Sequence, residues 1–269
     1  MRSTFTVVGV SIVLGGLGLA AAAATQSERV FKWKVHDMNR PQPTAVDPGP
    51  ATPATPATPA WGPPSDAVVL LGQDHGALAH WTGRDGPPKW TVADGVMTVA
   101  EGTGDIRTTR TFGDVQAHIE WMVPAGRKVD GQQGGNSGVF FMDRYELQIV
   151  SSNGNTTYAD GMAGSLYGQY PPLVNACRPQ GSWNVFDVVF RAPVFDAAGA
   201  VLQPATITAF LNGVLVQDHS ELLGSTAHAT RAAYEKHDPT GAIRLQDHGD
   251  PISFRNIWVR PLPSRAAPE

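Results

Sequence analysis

From residue 68 onward the chain is a succession of short apolar runs broken by glycine, proline, asparagine and aspartate. No stretch keeps a 3.6-residue period over three turns, so the pattern predicts strands rather than helices. Residues 115–123 alternate most clearly. Val115, Ala117, Ile119 and Trp121 fall on one face, while Gln116, His118 and Glu120 fall on the other, which is expected to meet solvent. Similar runs predict strands over 68–71, 90–92, 96–99, 106–109, 139–142, 145–150, 183–191, 206–210, 214–217, 243–246 and 254–259. Asp94-Gly95 and Asn212-Gly213 supply turn chemistry suited to hairpins. Residues 72–88, 153–178 and 221–240 read as loops. About a dozen strands in some 200 residues place the chain in the all-β class, as a two-sheet antiparallel β-sandwich.

The pair of runs around Asp143-Arg144 reads as a central hairpin. In its second strand Tyr145, Leu147 and Ile149 share one face, and Glu146 and Gln148 share the other. Beside it lies Asn136-Ser137-Gly138, where glycine permits close approach of backbone or ligand. In 243–249, a core-facing Leu245 puts Arg244, Gln246 and His248 together on the opposite face. Glu146, Gln148, Arg244 and His248 are therefore expected to line one concavity, with Leu147 and Leu245 turned into the core. The 153–178 loop carries Tyr158, Asp160, Tyr167, Gln169 and Tyr170, and a loop of this length in a compact domain usually serves function.

Residues 1–24 have the layout of a signal peptide: Arg2, an apolar core over 5–19 and small residues over 20–24. The expectation is an exported protein, periplasmic or extracellular, with no stable membrane insertion once the leader is cleaved. Residues 25–64 read as an arm, in which Phe31, Trp33 and Val35 alternate with Lys32 and Lys34, followed by a linker containing ATPATPATPA, too extended to pack a core. The globular domain is expected over 65–262, with a tail at 263–269. A net charge of −4 gives no reason to expect nucleic acid as a partner. The single cysteine, Cys177, excludes an intrachain disulfide and a cysteine metal cluster.

The segments GNSGVFF, YELQI, AGSLYGQYPPLVNA, WNVFDVVFRAP, LNGVLVQDH, RLQDHG and FRNIWVRPL, in this order over roughly 67–262, resemble the 3-keto-disaccharide hydrolase family. The resemblance implies a concanavalin-A-like (lectin/glucanase) jelly roll, a carbohydrate substrate, and activity on glycosides whose sugar is oxidised at C3. Tyr167, Gln169 and Tyr170, in the family-like YGQYPP segment, are expected to form a wall of the cleft. One position departs: where similar sequences continue from YELQI into Leu-Asp-Ser, this chain reads Val150-Ser151-Ser152.

A 3-keto sugar has an acidified proton on C2 and a glycosidic oxygen β to the carbonyl. Cleavage by proton abstraction, elimination and hydration needs a general base, a group holding the enolate oxygen and an acid for the leaving group. Glu146, His248 and Arg244 are the catalytic candidates, with the division between acid and base left open. Asn136, Gln148, Asp160, Tyr167, Gln169 and Gln246 are the candidates for substrate binding. A divalent metal ion is an alternative to Arg244, and the sequence names no ligand set for it. Gln148 occupies the alternating position where a laminarinase-like enzyme carries its second carboxylate, which argues against ordinary glucan hydrolysis. His228 and His237 read as solvated loop residues, and Trp61, Trp81 and Trp90 as packing. A carbohydrate-binding module and an adhesion or scaffold domain are the competing readings. Clustered titratable groups in a cleft would favour the enzyme, and an aromatic platform the binding module.

Overall fold

Alternation along the strands is realised as two antiparallel sheets packed face to face. The structure is a computed structural model, and it describes residues 31–47, 62–72 and 77–265. The expected leader, the ATP repeat, Trp61 and the end of the tail lie outside these residues.

The larger sheet runs in the order β13 (Val214–Glu221), β12 (Thr206–Leu211), β9 (Asn184–Arg191), β6 (Val115–Met122), β17 (Ser253–Pro261), β4 (Val96–Thr98) and β3 (Thr91–Ala93), with β1 (Val68–Leu71) also paired to β17. The smaller sheet runs β2 (Trp81–Thr82), β5 (Ile106–Thr108), β16 (Arg244–Leu245), β7 (Asn136–Phe141) and β8 (Tyr145–Val150). The chain is thus an all-β jelly-roll sandwich. Two short hairpins lie apart from the sheets: β10 (Val194–Phe195) with β11 (Val201–Gln203), and β14 (Thr226–Ala227) with β15 (Thr230–Arg231). The second of these falls inside the stretch read as a loop.

Aromatic rings knit the sheets together. Phe141 of β7 stacks on Phe190 of β9 with centroids 5.0 Å apart, and Tyr145 of β8 meets the same ring at 5.7 Å. Trp81 and Trp90 are buried in the core, as packing residues should be. The apparent loop 153–178 is largely buried. It extends the free edge of β8, where Gln148 N donates to Ser165 O (3.0 Å) and Gly164 N to Gln148 O (2.9 Å). Polar content alone hid this, because the segment covers an otherwise open sheet edge.

One expectation fails on the larger sheet. His118 and Glu120 do lie on the face opposite the Val115–Trp121 apolar set, but they are buried rather than solvated. Arg255 Nε donates to Glu120 Oε2 (2.6 Å), Asn256 Nδ2 donates to Glu120 Oε1 (2.8 Å), and His118 Nδ1 bonds Asp187 (2.7 Å) beneath the stacked Trp258 ring. Burial opposes a charged imidazole there, yet the bonds to Asp187 and Glu120 outweigh it and raise His118 to about 9. Strand parity fixes which face a residue takes, whereas its burial depends on what the neighbouring strand brings.

Replacing Phe190, fully buried between the sheets, by Ala is expected to cost about 3–5 kcal/mol in chemical denaturation. Phe210→Ala, at a ring 39 % exposed on the neighbouring strand, should cost well under half of that.

Candidate active site

Three strands of the smaller sheet set the site in rows, because residues paired across strands point to the same side. Arg244 of β16 is opposite Phe140 of β7, and Phe140 is opposite Glu146 of β8. In the next row Gln246 N donates to Gly138 O (3.1 Å), and Gly138 pairs with Gln148. Asn136 begins β7, and His248 lies exposed in the bend beyond β16. The alternate residues Leu147 and Leu245 are fully buried in the core, as face counting requires.

The rows enclose a cavity of about 260 Å³ lined by Asn136, Phe140, Glu146, Gln148, Tyr167, Thr226, Ala227, His228, Arg244, Gln246 and His248. That volume lies just below the usual range for small-molecule sites, which suits a unit of monosaccharide size. The lining is rich in amides, hydroxyls and ionisable groups, complementary to a ligand made mostly of hydroxyls. Its one exposed-edge aromatic is Tyr167, since Phe140 lies beneath the Arg244 guanidinium at 3.5 Å. The arrangement is a titratable cleft rather than an aromatic platform.

Glu146 is the most perturbed acid of the cavity. Burial dominates, with Arg244 opposing and Asp105 reinforcing, and together they raise its carboxyl to about 8. Its carboxyl leans over Gly138: a Cβ at 138 would overlap Glu146 Oε1 and come within 2.9 Å of Phe140 Cε2. Gln148 has two amide orientations. In one it donates to Gln132 Oε1 (2.9 Å) and Asn136 Oδ1 (3.3 Å). In the other its NH₂ reaches Ser137 O and Glu146 Oε1, both at 3.0 Å. In the first the Gln148 carbonyl faces two acceptors, of which a neutral Glu146 can turn donor, and in the second it faces the one acceptor Gln132 Oε1.

Arg244 is fixed before any ligand arrives. Its Nη1 donates to Asp105 Oδ2 (2.6 Å) and its Nε to Asp143 Oδ1, at the hairpin tip. Asp143 also accepts from Arg107 (2.9 Å). Nη2 has no protein partner among the described residues.

Asp160, Gln169 and Tyr170, expected at the site, are absent from the cavity lining. Gln169 is buried and clamps a neighbouring loop, accepting from Leu223 N (2.8 Å) and donating to Gly224 O (3.2 Å). Asp160 is fully buried in a 3₁₀ turn, where its Oδ2 accepts from His36 N (3.3 Å) and pairs with Arg40 (3.7 Å). Asp160 was expected in the site from its polar loop and Gln169 from the family-like YGQYPP segment, but Gln169 holds a neighbouring loop and Asp160 holds the arm through Oδ2. Ser151, at the departing position, is buried and absent from the lining, with its N donating to Gly135 O (3.0 Å).

Other residues of the site escaped the sequence reading. Asp250 accepts from Gly135 N (2.8 Å), Asn136 N (3.0 Å) and Arg127 Nη2 (2.7 Å), and so pins the start of β7. These bonds hold its carboxyl below the usual range against the cost of burial. Thr226 Oγ1 accepts from Glu146 N (3.0 Å), and Gln132 joins Asn136 to Gln148. His228 lines the cavity, whereas His237 bonds the Tyr145 hydroxyl elsewhere (2.7 Å). None carries a local signal, since each acts across a long stretch of chain. Among the described residues no group of three or more His, Cys, Asp or Glu is placed to hold a metal ion.

A family model described as the 3-keto-alpha-glucoside-1,2-lyase-like domain matches residues 66–260. A 3-keto-disaccharide hydrolase of Bacteroides thetaiotaomicron is 23 % identical over 222 residues, covering 65 % of this chain and 71 % of the relative. A crystal structure from Parabacteroides distasonis ATCC 8503, provisionally named a glycosyl hydrolase, is 38 % identical with a TM-score of 0.73 and covers 88 % of this chain and 96 % of that one. A second from the same organism, with the same provisional name, is 21 % identical with a TM-score of 0.51 over 73 % of this chain and 94 % of that one, a likeness of fold.

The raised Glu146 gives stability a definite pH dependence. Between its ordinary value of 4.5 and about 8 the unfolded chain loses this proton while the folded protein keeps it. The unfolded state then binds fewer protons, so this group lowers stability as pH rises through that window. Glu146→Gln is expected to melt near wild type at pH 4 and several degrees higher at pH 9, a gain on the order of a few kcal/mol. Thermal melts of both proteins across pH 4–9 check it, and an equal offset at every pH would contradict the buried-acid assignment.

Proposed function

The chain belongs to the 3-keto-alpha-glucoside-1,2-lyase-like family, and we propose that it cleaves 3-keto-glycosides by elimination across C1 and C2 followed by hydration. The family is glycoside-active, and the observation that carries the finer reading is the row Arg244–Phe140–Glu146 with His248 beyond it at the exposed rim. A cation, a buried acid and an open imidazole in one cavity match the three adjacent centres C3, C2 and C1 of an oxidised sugar ring.

In this reading the Glu146 carboxylate removes the C2 proton, the C2–H electrons become the enolate double bond, and O3 takes the negative charge. A carboxyl raised toward neutral pH is a stronger base once ionised and still available near the working pH. Arg244 holds the enolate oxygen through its remaining N–H edge, at no reorganisation cost because two aspartates already fix it. The enolate then expels the glycosidic oxygen from C1, and His248, protonated, gives that oxygen its proton. His248, now neutral, takes a proton from water as the hydroxide adds at C1 of the resulting enone, and Glu146 returns its proton to C2, which restores both groups. Asn136, Gln148 and Gln246 bind ring hydroxyls. Residues 1–24 support an exported location for this activity, checked by sequencing the N-terminus of the mature protein.

A 3-keto-glucoside should release its aglycone with the wild-type protein, while the unoxidised glucoside stays intact. Glu146→Gln and His248→Ala are each expected to lower kcat/KM by roughly 10²–10⁴ while remaining folded. For wild type the pH–rate profile should be bell-shaped, because Glu146 must be ionised while His248 is protonated, and Glu146→Gln should lose the limb that reports Glu146. Equal cleavage of both sugars would overturn the elimination route. Loss of activity to a chelator would move the enolate contact from Arg244 to a metal ion, and binding without release would leave a carbohydrate-binding domain.

A further inference from the structure

Residues 31–47 lie outside the span of the family model, yet they dock against the loops that wall the cavity. Val46 N donates to Asn175 O (3.0 Å) and Asn175 N to Thr44 O (2.9 Å), so the end of the arm runs beside the 153–178 segment like a short strand. Nearer the site, Arg231 Nη2 donates to Trp33 O (3.3 Å), and its guanidinium covers the Phe31 ring at 4.2 Å. Between these anchors stands His36.

His36 is placed with unusual definition. Its φ of 59° is left-handed, a conformation that costs a non-glycine residue on the order of 1 kcal/mol. It is held by its own N–H on buried Asp160 and by the Arg40–Asp160 pair. Its ring stacks on Tyr158 at 4.0 Å, meets Tyr167 edge-on at 5.0 Å, and meets His228 edge-on at 5.6 Å. Tyr158 and Tyr167 share a hydroxyl–hydroxyl bond of 2.8 Å. Tyr167 and His228 both line the cavity. Burial keeps the imidazole below its ordinary value, hence neutral, and its buried Nε2 has no hydrogen-bond partner among the described residues. The ring therefore acts through its faces and edges.

We propose that the N-terminal arm is a built-in wall of the sugar cavity, with His36 the positioning residue that holds Tyr167 and His228 against the bound sugar. This rests on the cavity being the sugar site. Tyr167 sits in the turn that follows Leu166, bridged to the edge of β8, and His228 sits at the tip of the β14–β15 hairpin; His36 meets both rings. A wall that binds substrate and transition state alike is read in KM rather than kcat.

The test uses the full chain with His36→Ala and His36→Phe, assayed on a 3-keto-glucoside. His36→Ala should raise KM roughly tenfold with kcat within about twofold, and His36→Phe, which restores the stacked ring without the nitrogens, should recover most of that loss. A fall in kcat alone would mark a general loss of folded protein and overturn the proposal, as would an unchanged KM. If the wild type turns over no 3-keto sugar, the functional reading fails, and hydrogen exchange still decides the arm. Amides of 158–169 should lose protection in His36→Ala and regain it in His36→Phe if the wall depends on His36, and unchanged protection would overturn it.

Discussion

A carboxyl group crosses the middle of the smaller sheet above a backbone position that carries no side chain. Gly138 is not there for conformational freedom: a Cβ at this position would collide with Glu146 and with the Phe140 ring. The absent side chain makes the floor concave and lets the Glu146 carboxyl reach over it, away from water. Burial raises the Glu146 carboxyl, and under the proposed elimination the same desolvation would make its ionised form a stronger base. The site rests on one steric permission and one electrostatic cost.

The strand bearing that permission is held at both ends by carboxylates. At the start of β7, Asp250 accepts two successive backbone N–H groups and a guanidinium. At its far end the hairpin turns through Met142 and Asp143, both left-handed, with Met142 packed so tightly against Gly241 that a Cβ at 241 would clash. That turn aims Asp143 at Arg244, and Asp105 grips the other side of the guanidinium. Positive charge is thereby stationed beside the buried acid before substrate enters, which is the arrangement that favours a developing oxyanion.

Strand parity made the floor legible in the sequence. Glu146, Gln148, Arg244 and Gln246 face the cavity and Leu147 and Leu245 face the core, because the alternation of side chains is a local property of an extended chain. Properties that depend on distant partners were not legible. Parity put Glu120 on the outer face but could not say that Arg255 and Asn256 would bury it. Loop composition pointed to Asp160 and Gln169, yet Gln169 clamps backbone groups and Asp160 holds the arm through Oδ2, while its buried Oδ1 has no hydrogen-bond partner among the described residues. Asp250 was missed because a lone aspartate after a strand gives no sign that it will grip amides 114 and 115 positions away.

The parts of the site therefore divide by how firmly they are held. Glu146, Gln148 and Arg244 stand on paired strands, and their mutual geometry follows from register alone. Tyr167 stands in a turn and His228 at a hairpin tip, and both rings meet His36 of the docked arm. Changes on the loops or in the arm can reshape the entrance without disturbing the row that carries the acid and the cation. Under the proposed function, reaction type would be a property of the sheet, and the choice of substrate a property of the rim, where connecting segments vary most freely on a fixed scaffold.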